Sequence, residues 1–107
     1  MFGEQITRVY NIKMSFNPVY YTYIVECNDK SFYTGITDNL EIRIKEHNGF
    51  GSKPGAKYTR SKRPVKLVHF EEFATRKEAA AREREIKKMD RAEKEVVVAN
   101  GDRPSDV

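Results

Sequence analysis

Long apolar runs are missing from this chain: none of its 107 residues lies in a stretch approaching the roughly 20 that a membrane span requires. No charged, apolar and small-residue leader opens it. Cysteine is reduced to Cys27, which excludes an internal disulfide and leaves too little sulfur for a cysteine-based metal site. These absences predict a soluble, cytoplasmic protein with no membrane partner. A chain this short forms one domain with a modest core and has no room for a second catalytic domain. Acid, too, is missing from one segment: "GSKPGAKYTRSKRPVK", Gly51 to Lys66, carries Lys53, Lys57, Arg60, Lys62, Arg63 and Lys66 with neither Asp nor Glu. Against a net charge of only +4 this is a local anion attractor. A solvated loop has the same composition, but the glycines, the proline and Tyr58 favour binding.

Residues 1–13 show neither helical periodicity nor alternation, and Met14 stands as an alternative start, so residues 1–15 read as a poorly ordered extension. The polar, proline-containing end, residues 100–107, reads as a disordered tail. Residues 16–99 are the expected domain. Within it, "VYYTYIVEC" (Val19 to Cys27) and "SFYTGIT" (Ser31 to Thr37) are aromatic and β-branched, the composition of paired strands, and "VKLVHFEEF" (Val65 to Phe73) is a third. Alternation along that third strand puts Leu67, His69 and Glu71 on one face and Lys66, Val68, Phe70 and Glu72 on the other. Three helix starts carry an N-cap oxygen with a glutamate three residues on: Asp38 with Glu41, Thr75 with Glu78, and Asp90 with Glu93. The first helix should end at Asn48 and Gly49, the second near Met89, and the third should turn Val96 to Val98 inward. The order ββαβαα describes a small α+β domain, a three-stranded antiparallel sheet flanked by helices with the first strand central.

Some residues stand where packing alone would not put them. At a hundred degrees per residue, Leu40, Ile44 and His47 form one helical stripe, with Arg43 at its border. A histidine there is ordinarily a satisfied core imidazole, and an arginine a snorkelling stem. In the second helix Glu83 sits between Ala79 and Ile86 in the apolar stripe, where a carboxylate requires a partner. An odd hairpin loop, Asn28 to Lys30, would set Tyr23 opposite Gly35 and place Tyr23 and Tyr33 on the same face, with the bare backbone at Gly35 open to a substrate.

The ordered set "YTY" (Tyr21 to Tyr23), "YTG" (Tyr33 to Gly35), Arg43, His47 and Glu83 resembles the GIY-YIG nuclease superfamily over most of residues 19–99, more narrowly its small stand-alone bacterial branch. Tyr33 follows Tyr23 by ten residues, Arg43 follows by ten more, and His47 lies one helical turn beyond. The resemblance implies a three-stranded antiparallel sheet with helices and metal-assisted hydrolysis of DNA. Tyr23, Tyr33, Arg43, His47 and Glu83 would be catalytic, with Arg43 on the scissile phosphate and Glu83 holding Mg2+ or Mn2+. Gly35, Lys53, Lys57, Tyr58, Arg60, Lys62 and Arg63 would contact nucleic acid, DNA foremost and RNA as a second substrate. The chain departs from the pattern at Thr22, Thr34 and Tyr21, and at Ile36, where excision-repair members carry a lysine that assists the tyrosine. Lys57 or His47 would have to assist instead.

The implied chemistry suits the residue types. In-line attack on a phosphodiester needs a deprotonated water, charge on the non-bridging oxygens and help for the leaving oxygen. Arginine offers phosphate a planar fork, and magnesium needs few protein carboxylates because it keeps several waters and takes substrate oxygens. The expectation is an endonuclease, structure-selective or non-specific, monomeric or weakly dimeric, whose five catalytic side chains line one shallow concave face. The rival reading is a non-catalytic nucleic-acid-binding module using strand aromatics and the basic loop. A zinc site at Cys27, His47 and His69 has no recognised ligand spacing.

Overall fold

Strand β1 (Tyr20–Glu26) is the middle of the sheet in a computed structural model that describes residues 19–101. It pairs antiparallel with β2 (Phe32–Thr37) on one side and β3 (Lys66–Phe73) on the other. The β1–β2 register follows from the turn: Cys27 N–H donates to Ser31 O at 2.8 Å, Lys30 N–H to Cys27 O at 2.9 Å, and Lys30 takes φ 73°, the left-handed third residue of a three-residue loop. Tyr23 therefore opposes Gly35, as the odd loop requires.

A central strand covered on both faces must be apolar or satisfied throughout, and β1 is. Tyr21, Tyr23, Val25 and Cys27 point to one face, where Leu40, Val65 and Phe70 complete a buried cluster. Thr22 and Ile24, both fully buried, point to the other. There α3 (Arg76–Lys87) packs, and the Thr22 hydroxyl donates to Ala79 O at 2.7 Å.

The alternation expected of β3 does not survive along its length. Pairing with β1 shifts from Ile24↔His69 to Val25↔Leu67, so Val68 is an extra residue and the strand bulges there. Leu67 consequently packs against the same cluster as Phe70, while His69 and Glu71 lie on the α3 side. Glu71 there accepts from His69 Nε2 at 2.7 Å and from Arg82 Nε at 2.9 Å, and these donors hold its carboxyl down at about 2.

Two of the three expected helix starts form as capping boxes, Thr75–Glu78 at α3 and Asp90–Glu93 at α4 (Arg91–Asn100). The third shifts by one residue. Asn39 caps α1 (Leu40–His47) by accepting from Ile42 N–H at 3.0 Å, and Asp38 is left exposed. The cause is local: Thr37 Oγ1 accepts from Asn39 N–H at 3.1 Å, a turn that carries the chain past Asp38 before the helix begins. A one-turn helix, α2 (Lys57–Arg60), adds an element that the order ββαβαα lacks; its N-cap, Ala56, offers no side-chain oxygen, so no start signal marks it. On α4, Val96 is 57 % exposed instead of turned inward, and no residue of that helix is fully buried. The expected extension, residues 1–15, lies outside the described residues, as does the tail beyond Gly101; Asn100, assigned to the tail, is the last residue of α4.

Helix α1 ends as expected at Asn48 and Gly49, with Gly49 N–H on Glu46 O at 3.0 Å and Phe50 N–H on Lys45 O at 2.8 Å. Asn48 also ties this end to β3, its Nδ2 donating to Val65 O at 3.0 Å and its Oδ1 accepting from Val65 N–H at 2.7 Å. Asn48→Ala strands both backbone groups of Val65, a buried residue, and is expected to lower stability by about 1–3 kcal/mol, read as a reduced urea midpoint with unchanged m.

Candidate active site

Gly35 has no side chain, and the ring of Tyr23 occupies the space. A Cβ at Gly35 would lie 2.6 Å from the Tyr23 hydroxyl and 2.8 Å from Cζ. The opening expected above Gly35 is thus filled from within the protein, and the glycine serves to seat Tyr23, not to admit a substrate backbone. From that seat Tyr23 Oη reaches His47 Nε2 at 2.7 Å. His47 Nδ1 reaches Thr59 Oγ1 at 2.8 Å, and Thr59 Oγ1 in turn donates to Ala56 O at 3.0 Å.

The direction of this chain follows from counting protons. With the Thr59 hydroxyl proton assigned to Ala56 O, His47 Nδ1 is assigned the proton it shares with Thr59. Nε2 is then the bare nitrogen, and Tyr23 donates to it. Helix α2 exists in the right place for this purpose: its buried Thr59 fixes the imidazole tautomer.

Burial and charge reinforce the neutral form. His47 is fully buried, and burial, aided by the Arg43 charge, depresses its pKa from 6.5 to about 4. Burial also raises the Tyr23 phenol well above 10; Arg43 opposes the rise, while Tyr33 and Glu83 add to it. Because the folded His47 pKa lies below its unfolded value, the unfolded chain binds more protons between those values. Stability is expected to fall as pH drops from about 6.5 toward 4, and a His47→Gln variant should show a flatter urea midpoint across that window.

Arg43, four residues before His47 on α1, spends one nitrogen on the protein: Nη1 donates to Glu46 Oε1 at 2.8 Å and to Pro54 O at 3.2 Å. The guanidinium also lies close enough to the Tyr23 hydroxyl to bear on its ionisation. The side chain is 25 % exposed. Tyr33 sets its ring edge-on to His47 with centroids 5.3 Å apart, and its hydroxyl makes no hydrogen bond among the described residues. Tyr58 stacks on Tyr33 at 5.9 Å. Glu83 comes from α3, is 21 % exposed, and finds its partner in Lys87 at 3.1 Å.

Tyr23, Tyr33, Arg43 and His47 are linked to one another, Glu83 is tied to them only by its charge on Tyr23, and they do not share one shallow face: Tyr23, at 1 % exposure, and His47 lie beneath, while Tyr33, Arg43 and Glu83 are partly exposed. Among the described residues no hydrogen bond or cation–π contact joins Lys57 to either tyrosine, and Ile36 pairs with Thr22, so its side chain shares the face of the sheet opposite Tyr23; the group hydrogen-bonded to the Tyr23 hydroxyl at 2.7 Å is His47. Lys53, Lys57 and Arg60 are exposed, with no side-chain partner among the described residues. Lys62 is committed to Asp29 at 3.0 Å and lies over the Tyr58 ring, and Arg63 Nε donates to His47 O at 2.8 Å. Both therefore have structural work that a count of basic residues conceals. Glu46 and Thr59 were missed by sequence reasoning. Glu46 stands at the i+3 position from Arg43, a spacing that marks a helical ion pair; Thr59 has no local signal.

Among the described residues no group of three or more His, Cys, Asp or Glu side chains could hold a metal, so the zinc constellation of Cys27, His47 and His69 does not form. A lone, partly exposed carboxylate such as Glu83 fits magnesium or manganese, which take most ligands from water and substrate. It does not fit a closed zinc site.

The GIY-YIG catalytic domain matches residues 19–95. The chain belongs to the GIY-YIG family. Within it, the chain is 51 % identical over 85 residues to a UPF0213 protein of Haloquadratum walsbyi, covering 79 % of this chain and 92 % of that one. It is 55 % identical over 74 residues to a UPF0213 protein of Clostridium perfringens, covering 69 % and 76 %. The solution structure of a UPF0213 protein from Bacillus halodurans superposes with a TM-score of 0.52 at 39 % identity, over 81 % of this chain and 89 % of that one. The GIY-YIG family is one of nucleases that use a divalent metal and act on nucleic acid. No helix among the described residues is long and apolar enough to cross a membrane.

Proposed function

We propose that this chain is a divalent-metal-dependent endonuclease that hydrolyses phosphodiester bonds in DNA. The observation that carries the reading is the Tyr23–His47–Thr59 chain, in which a phenol already donates to a neutral, buried imidazole nitrogen. A phenol raised by burial does not ionise at neutral pH on its own. It can accept a proton from an attacking water while passing its own to His47 Nε2, so that no isolated tyrosinate forms. The imidazolium that results keeps its Nδ1–H on Thr59 and is later the acid that returns the proton. Generating it in a buried site is costly, and the negative charge of the substrate phosphate and of Glu46 offsets part of that cost.

Arg43 supports the phosphate. With Nη1 held by Glu46 and Pro54, its guanidinium is orientated before substrate arrives, and the hydroxyl of half-buried Tyr33 supplies a further donor. Glu83 would hold the divalent metal, which supplies charge to the non-bridging and leaving oxygens when bound. Lys53, Lys57 and Arg60, free of protein partners among the described residues, take flanking phosphates. The test is nicking of supercoiled plasmid. The reading requires nicks in magnesium or manganese and none in EDTA, and DNA binding with no cleavage of any DNA or RNA substrate would transfer it to the binding module.

A further inference from the structure

Phe50 is the most exposed large apolar side chain among the described residues, at 68 %, and the fold holds it there. The C-terminal motif of α1 places residue 50 where it ordinarily packs on the residue five positions back, but that residue is Lys45, itself exposed. The ring is left largely uncovered. Phe50 stands between Gly49 (φ 91°) and Gly51 (φ 106°), backbone conformations that L side chains rarely adopt, so it projects from a sharply defined tip.

That tip is fastened to the site. Gly49 and Phe50 donate to the carbonyls of Glu46 and Lys45, Arg43 Nη1 reaches Pro54 O at 3.2 Å, and Gly55 packs so close to Glu46 O and the His47 Cα that a Cβ would come within 2.8 Å. The segment 49–55 thus lies over the turn that carries Arg43, Glu46 and His47. Its charge identifies the partner: exposed Lys45, Lys53, Lys57 and Arg60 accompany Phe50, and no acid occurs from Gly49 to Lys66. A phenylalanine among uncompensated cations matches the bases and phosphates of a nucleic acid, whereas protein-binding patches are depleted in lysine. Tyr58, the other exposed aromatic here, already has Tyr33 stacked on its ring and Lys62 over it.

We propose that Phe50 is a base-stacking wedge: with a phosphate at Arg43, its ring stacks on or inserts beside an adjacent unpaired base, favouring DNA that is single-stranded or frayed there. This rests on the DNA-directed reading above but not on cleavage.

The experiment uses the full chain in EDTA with oligonucleotides carrying 2-aminopurine at a single-strand/duplex junction, with fluorescence and affinity read together. Wild type should change the 2-aminopurine signal saturably. Phe50→Ala should lose that change and bind the junction about ten- to hundredfold more weakly, and Phe50→Trp should restore both. Fully paired duplex should be affected less than about threefold, since it retains the phosphate contacts. Circular dichroism checks the fold of each variant. A wild type that stacks but never cuts would sustain the wedge and overturn only the nuclease reading. The inference is overturned if wild type binds with no 2-aminopurine response, if Phe50→Ala behaves as wild type, or if its only defect is loss of self-association in sedimentation, which would assign the ring to a second copy of the chain.

Discussion

Glu83→Ala is expected to reduce metal-dependent cleavage to background while changing stability by no more than about 0.5 kcal/mol. The two halves of this expectation have separate causes. Glu83 is partly exposed and its protein partner is Lys87, an i,i+4 neighbour on the same helix, so its removal breaks only a weak surface pair. Its carboxylate nevertheless bears on Tyr23 without being committed to Arg43, as Glu46 is, and no cluster of other candidate ligands exists among the described residues to replace it. DNA binding should persist in the variant, slightly strengthened by loss of a negative charge beside the phosphate. Electrophoretic mobility shift alongside a cleavage assay in magnesium separates these effects, and retained cleavage would remove Glu83 from the mechanism.

Tyr23→Phe is expected to lower the single-turnover rate by about 10²–10⁴-fold, the range for loss of a positioned proton-transfer group. The affinity for DNA should hardly change, because Tyr23 is 1 % exposed and offers substrate almost no surface. Unlike Glu83→Ala, this substitution also has a stability cost. It leaves His47 Nε2 buried without its donor, which is worth about 1–3 kcal/mol. Rate at saturating DNA, affinity and urea midpoint measured together distinguish this pattern from a structural role, which would lower stability and leave the rate per folded molecule intact.

The parts of the fold set by local chemistry were legible in the sequence. The odd loop Asn28 to Lys30 imposed the Tyr23–Gly35 pairing, and Thr75 with Glu78 and Asp90 with Glu93 marked their helices correctly. Asp38 and Asn39 are adjacent and chemically equivalent as caps, so only the turn made by Thr37 decides between them. The bulge at Val68 was invisible because alternation within one strand carries no information about where its partner slips.

The candidate site divides in the same way. Tyr23, Tyr33, Arg43, His47 and Glu83 stood out by spacing and by polarity on apolar stripes; the fold joins Tyr23 and Tyr33 to His47 and brings the Arg43 and Glu83 charges to bear on Tyr23. Depth was not legible: Tyr23 sits under the surface because Gly35 makes room for its ring, and the sequence shows the pair without showing which residue fills the gap. Thr59 could be found only by knowing that α2 folds back onto α1, and Lys62 and Arg63 read as free cations because sequence charge does not reveal Asp29 or the His47 carbonyl as partners.

Whether the Tyr23–His47 pair can receive a proton is decided by the tautomer of one imidazole. The ¹⁵N chemical shifts of the His47 ring nitrogens, followed by long-range ¹H–¹⁵N correlation as pH is lowered, measure it directly. The structure predicts a protonated Nδ1 and a bare Nε2 at pH 7, with the ring staying neutral until about pH 4. A proton on Nε2 at pH 7, in the neutral ring or in an imidazolium, would leave Tyr23 no acceptor and contradict the proton path.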